Sequence, residues 1–153
     1  MKKILISLPS WAMFIILSLP FLFANSIPHG VLMVSSIFLL WLFFVGNALK
    51  EKAKTFKNIS IKWFNASLIY AFTYIFIIEL VFKNIKPKVA LPFHLLGTLC
   101  IFGALFFVSK LLVISEEKKI VKANRCFGTF ILFWVFPIGI WFVHPRVKKV
   151  LEE

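Results

Sequence analysis

Val89-Ala-Leu-Pro-Phe-His94-Leu-Leu-Gly97-Thr-Leu-Cys100-Ile-Phe-Gly103-Ala-Leu-Phe-Phe-Val108 is an unbroken stretch of 20 residues without one Asp, Glu, Lys or Arg. At a helical rise of about 1.5 Å per residue it reaches about 30 Å, the thickness of a bilayer's hydrocarbon core. It lacks the period-2 alternation of a barrel strand and the polar stripe of a surface helix. Backbone groups in lipid must be satisfied within their own segment, so the stretch is expected to be a transmembrane helix. Four further apolar runs flank it, at 4–24, 31–49, 63–82 and 127–143, each bounded by Lys, Asn or Pro. The expected fold is an all-α integral membrane protein, a bundle of about five transmembrane helices in a single domain, 1–153.

Composition agrees. Of 153 residues, 61% are hydrophobic, 20 are Phe and 16% are charged, and the mean hydropathy is +0.94. Soluble domains run at roughly 45–50% apolar and about 25% charged, so too little polar surface is available here to clothe a soluble globule. All six acids are Glu. Without Asp, aspartyl catalysis and Asp-based triads are excluded. The motifs Gly-x-Ser-x-Gly, His-Glu-x-x-His and the glycine-rich phosphate loop are absent as well. The chain reads as non-enzymatic, with no cofactor.

Met1-Lys2-Lys3 ahead of an apolar run has the look of a signal peptide. The apolar region is longer than such peptides carry, and Phe23-Ala24-Asn25-Ser26 makes a poor cleavage site, so 4–24 is read as a first span or signal anchor. Orientation follows from Lys and Arg in the short connections. With the N-terminus cytoplasmic, the start of the chain and the basic loops 50–62 and 109–126 put 12 of the 18 cations inside. The 83–88 turn and the tail hold the other 6, which gives an N-in, C-out expectation. The last run is the shortest, at 17 residues, and contains Gly128, Pro137 and Gly139. The alternative is four spans plus a kinked or re-entrant last segment, which would bring the tail inside and shift the split to 15 against 3.

The net charge of +12 is no nucleic-acid signature, because the cations sit at the ends of apolar runs, where they meet anionic phospholipid. Lys50, Lys54 and Lys57 share a helical face and are expected to lie along the headgroups. Ser115-Glu116-Glu117, followed by Lys118, Lys119, Lys122 and Arg125, reads as a short capped helix facing lipid or a partner. The expected partners are the bilayer itself and either a second copy of the chain or another membrane protein. Cys100 and Cys126 fall at different depths, so no disulfide is expected. Small residues (Ser35 and Ser36, then Gly97, Thr98, Gly103 and Ala104) mark helix contacts and make 89–108 the candidate central helix.

Ionisable side chains within spans are costly and point to function. Glu79 is the sole acid inside an apolar run. On the N-in topology it shares the outer third of the membrane with His94 and His144, and His29 lies in the adjoining 25–30 turn. Carboxylate and imidazole together suit a transition metal or a proton relay. The plainer reading pairs Glu79 with Lys83 one turn on and leaves each His at the interface.

The ending Pro137-Ile-Gly139-Ile-Trp141-Phe-Val-His144-Pro145-Arg146 resembles that of small multi-spanning bacterial membrane proteins to which no activity attaches. The resemblance implies a multi-pass protein of the bacterial inner membrane. In that setting Trp141 suits an interfacial belt, and Pro145 would end the helix where Arg146 meets phosphate. The expected role is a self-assembling bundle, or an accessory, immunity or membrane-effector subunit of a larger system. The alternative is a small ion or solute channel or transporter using Glu79 and the His residues.

Overall fold

The computed structural model describes residues 8–22, 29–54, 60–80, 87–136 and 138–153. All regular structure among them is helical: α1 (Ser10–Leu22), α2 (Gly30–Ala53), α3 (Lys62–Leu80), α4 (Pro87–Glu117), α5 (Ala123–Trp134) and α6 (Ile140–Glu152). Two of these, α2 and α4, are long and apolar enough to cross a membrane, whereas α1 and α3 are shorter apolar helices. Leu8 and Pro9 precede the first helical residue, so the helix expected from Ile4 starts at Ser10 among the described residues.

α3 packs antiparallel to both α2 and α4, which run parallel to each other. Gly46 of α2 faces the Phe64 ring of α3 and Val108 of α4, and a side chain there would strike the ring. The Phe64 and Phe107 rings stack at 5.1 Å. Toward the opposite end, Gly97 of α4 lies under the Tyr74 ring of α3. Lipid tails are as apolar as Leu, so contact between such helices depends on fit and on small residues that admit a neighbour. Ala48, Ala71 and Ala104 fill that role beside the buried Leu42, Leu49, Leu111, Leu112 and Ile114.

Residues 127–143 do not form one helix, contrary to the leading expectation. α5 stops at Trp134, and α6 starts at Ile140 and runs back. Rings fix the path of the outgoing arm. Phe130 lies 6.1 Å from Phe106, Trp134 lies 5.6 Å from Phe102, and Phe133 lies 5.9 Å from Trp41. Beyond the turn, Trp141 lies 5.2 Å from Phe14 of α1. Arg146 then reaches Glu116, and Glu153 lies 3.4 Å from Lys118, so the tail ends beside the end of α4. Phe102 stands 15 residues before Glu117 and 15 after Pro87, so the hairpin reaches about 22 Å, half of α4.

Two features make the reversal. Gly139 lies so close to the Leu132 carbonyl that no side chain would fit there. Two backbone bonds also close the turn: Val135 N–H donates to Ile131 C=O at 2.8 Å, and Gly139 N–H donates to Val135 C=O at 3.0 Å. Amphipathic faces turn both arms inward, through Cys126, Thr129 and Phe133 on α5 and through Ile140, Val143, His144, Val147 and Val150 on α6.

Two local expectations are also corrected. Ser115–Glu117 does not begin a capped helix but ends α4, which continues past Lys110 because Leu111, Leu112, Val113 and Ile114 are buried. Lys118 then breaks the helix with φ 52°, the left-handed stop common at helix ends. Pro145 does not end its helix either. It lies inside α6, where it removes a single intrahelical bond, and the helix runs on to Glu152.

Candidate functional site

The described polar groups gather at the two ends of α4. At the tail end, Arg146 forms a fork on Glu116, with Nε donating to Oε1 at 2.7 Å and Nη2 to Oε2 at 2.6 Å. Nη2 also donates to Thr129 Oγ1 at 3.2 Å, so one guanidinium ties α4, α5 and α6 together. Paired planar forks of this kind are stronger than single bonds, and here the pair is partly shielded from solvent. His144, two residues before it, is 2% exposed. Its Nε2–H donates to Leu8 C=O at 2.9 Å, which anchors the start of α1, and its buried Nδ1 has no partner. Ser115 Oγ is likewise buried without a partner.

Every described Lys and Arg side chain lies at this end, from Lys50 to Lys62 and from Lys110 to Lys149. Lys50 is half-buried, and Lys54 is exposed just past α2; Lys57 lies outside the described residues. Lys118 pairs with Glu153, Lys119 with Glu117 at 3.2 Å, and Lys148 with Glu152 at 3.7 Å. Lys122 and Arg125 are exposed at the start of α5. These cations form a collar, interleaved with the carboxylates of the tail. An open groove beside it is lined by Pro9, Ser10, Pro145, Lys148, Lys149, Glu152 and Glu153.

At the far end, Tyr74 and His94 share a hydrogen bond of 2.9 Å between the hydroxyl and Nδ1. The Tyr70 and Tyr74 rings lie 6.2 Å apart and nearly parallel, one helical turn apart on α3. Tyr70 donates to Phe93 C=O at 3.4 Å, and Thr98 donates to His94 C=O at 2.9 Å. Gly97 makes the arrangement possible, since a Cβ there would stand 2.8 Å from the Tyr74 ring.

The set Glu79, His94 and His144 does not assemble. His94 stands 22 residues before Glu116 on one helix, about 33 Å along its axis. His144 lies two residues from Arg146, which holds that same Glu116. The fold-back of the last segment carries His144 to the opposite end. Glu79 lies in α3 near the far end, with its side chain outside the described set, and His29 precedes α2 with φ 58°. Among the described residues, no three His, Cys or Glu side chains come together as a metal site. Both cysteines are free.

Sequence reasoning missed the Arg146–Glu116–Thr129 node and the tyrosine pair. Tyr70-x-x-x-Tyr74 was visible as a helical i,i+4 pair. The Arg146 node depended on a fold-back that hydropathy does not reveal. Comparison with protein-family models, curated proteins and solved structures finds no match to this chain.

Proposed function

We propose that the chain is a multi-pass protein of the bacterial inner membrane with four crossing helices, a re-entrant α5–α6 hairpin and both termini in the cytoplasm. Its role is non-enzymatic: it assembles with itself or within a larger membrane system as an accessory, immunity or effector subunit. The hairpin supports this topology, because its return leaves only Lys83, Lys86 and Lys88 outside and sets 15 of 18 cations against 3. A turn at mid-depth is tolerated where its backbone is satisfied and protein surrounds it, and Val135 and Gly139 each place their N–H on a carbonyl of the hairpin itself. The cationic collar suits anionic phospholipid at the inner surface.

One observation carries the assembly reading. Ala104, Leu105, Val108, Leu111 and Leu112 of α4 are buried, whereas Leu91 to Leu96 are exposed in unbroken succession and Leu99 is 67% exposed. Since the hairpin stops halfway, the outer half of α4 has no helix on most of its circumference. Transport through Glu79 and the His residues loses its support, because His94 and His144 stand at opposite ends. The hydroxyls of Ser36, Thr98 and Ser109 are each spent on a carbonyl of their own helix.

The test is cross-linking in native membranes. A Leu99→Cys variant, with Cys100 and Cys126 replaced by Ser, should give one discrete adduct, either a dimer or a single co-purifying chain. Only monomer, with light scattering in mild detergent also reporting a monomer, would overturn the assembly reading.

A further inference from the structure

Between α2 and α3 lies a groove of about 240 Å³. Its floor is Leu39 and Leu68, each 5% exposed, and its rim is Leu40, Phe43, Ile69 and Phe72, all exposed. Thr73, at the end farthest from Lys62, supplies the one hydroxyl of its lining. We propose that this groove holds one acyl chain of an anionic phospholipid of the inner leaflet, with its phosphate between Lys50 and Lys62. The inference rests on the membrane reading above and names a bound lipid in place of a general attraction to the bilayer.

The register of the two helices sets out the layers. Gly46 faces Phe64, and Leu39, Leu40 and Phe43 share the groove with Leu68, Phe72 and Thr73. Continued toward the basic end, that antiparallel register puts Asn47 level with Asn65 and Lys50 level with Lys62. Spacings of three and four carry the groove face of α2 from Leu40 and Phe43 through Asn47 to Lys50 and Lys54. On α3 a matching row runs from Phe72 and Ile69 through Asn65 to Lys62. At about 1.5 Å per residue, the asparagines lie about 4.5 Å below the lysines and the groove about 9–17 Å below. Half of a hydrocarbon core of about 30 Å is about 15 Å, so the groove ends near the midplane, where the chains of one leaflet end.

Each layer matches one part of a phospholipid. Ammonium groups meet the phosphate, side-chain amides stand at the depth of the glycerol esters, and apolar surface takes the chain. Lys118, Lys119 and Lys148 are each held by a carboxylate, whereas Lys50, Lys54 and Lys62 have no such partner among the described residues. Glu51, the one acid on this stretch of α2, lies about 80° round the helix from Phe43. Drug-sized ligands fill about 300–1,000 Å³, so the groove takes part of one chain and leaves the second chain and the head group outside. A partner helix, about 10–12 Å across, is too wide to lie within it. The comparable cleft between α3 and α4, lined by Tyr70, Tyr74, Ile77 and Phe93, lies toward the far end, where none of the described Lys or Arg side chains stands.

The test is native mass spectrometry of the full chain, released from nanodiscs that hold phosphatidylglycerol and phosphatidylcholine of matched chain length in equal amounts. One bound phospholipid is expected, enriched about tenfold in phosphatidylglycerol. Lys50→Gln with Lys62→Gln should remove that preference. Lys122→Gln with Lys149→Gln takes the same charge from exposed positions elsewhere on the collar and should keep it. Leu40→Trp fills the groove from its exposed rim and should lower occupancy about tenfold, the effect of unburying about two methylenes, with helicity by circular dichroism unchanged. A ladder of lipids without head-group preference, a preference that survives Lys50→Gln with Lys62→Gln, or full occupancy in Leu40→Trp would overturn the proposal. So would a protein adduct at Leu40→Cys in native membranes, with Cys100 and Cys126 replaced by Ser, because a partner chain would then cover the groove. Carbonate extraction of membranes separates the two failures, because a chain that stays in the membrane without a selected phospholipid defeats this inference alone.

Discussion

Arg146 shows how much of the arrangement rests on single contacts. Its fork on Glu116 and its bond to Thr129 join three helices at the tail end, and both ion-pair partners are about one-quarter to one-third exposed. Hydrogen bonds to charged groups contribute about 1.5–3 kcal/mol when partly shielded. Arg146→Ala should therefore destabilise the protein by about 2 kcal/mol in detergent unfolding, most of it recoverable in the exchanged pair Arg146→Glu with Glu116→Arg. Equal stability of Arg146→Ala and the parent would show that the fork is idle. In the sequence, Arg146 read as a phosphate contact following a helix-ending Pro145. Both halves of that reading failed for one reason. Pro145 falls early enough in α6 to lose a single bond, and the helix that continues delivers Arg146 to protein instead of lipid.

Among the elements, the hairpin is where hydropathy misled and periodicity would have served. Residues 127–143 average out as one apolar run, although Gly128, Pro137 and Gly139 flagged a kinked or re-entrant segment. The spacing of Cys126, Thr129 and Phe133 and that of Ile140, Val143, His144, Val147 and Val150 describe two separate amphipathic faces, the second running well past the expected end of the span. The apolar composition of α2 and α4 was legible because length and uniform hydropathy are the whole signal for such helices. The Tyr74–His94 contact was not legible, since it depends on how α3 lies across Gly97. Gly139 is the element's critical residue. Gly139→Leu should cost about 3 kcal/mol, because the turn must open to clear the Leu132 carbonyl. Gly128→Ala, with open space around it, should leave stability unchanged or raise it by up to about 1 kcal/mol through helix propensity. Equal losses at both glycines would mean that the tight turn does not hold the hairpin.

For the whole molecule, the central question is on which side the chain ends. A straight final crossing separates the tail from the 109–126 loop by the full membrane. The fold-back instead sets Glu153 against Lys118 at 3.4 Å and returns Arg146, Lys148 and Lys149 to the side of the basic loops. The helical class was legible in the long apolar runs. The place of the tail was not, because it turns on the break within 127–143. Single cysteines at Lys118 and Glu153, in a chain with Cys100 and Cys126 replaced by Ser, measure this directly with a membrane-impermeant maleimide. Both positions should resist labelling in intact cells and label together once the inner membrane is permeabilised. Labelling of Glu153→Cys in intact cells while Lys118→Cys stays protected would contradict the re-entrant hairpin and restore a crossing fifth helix.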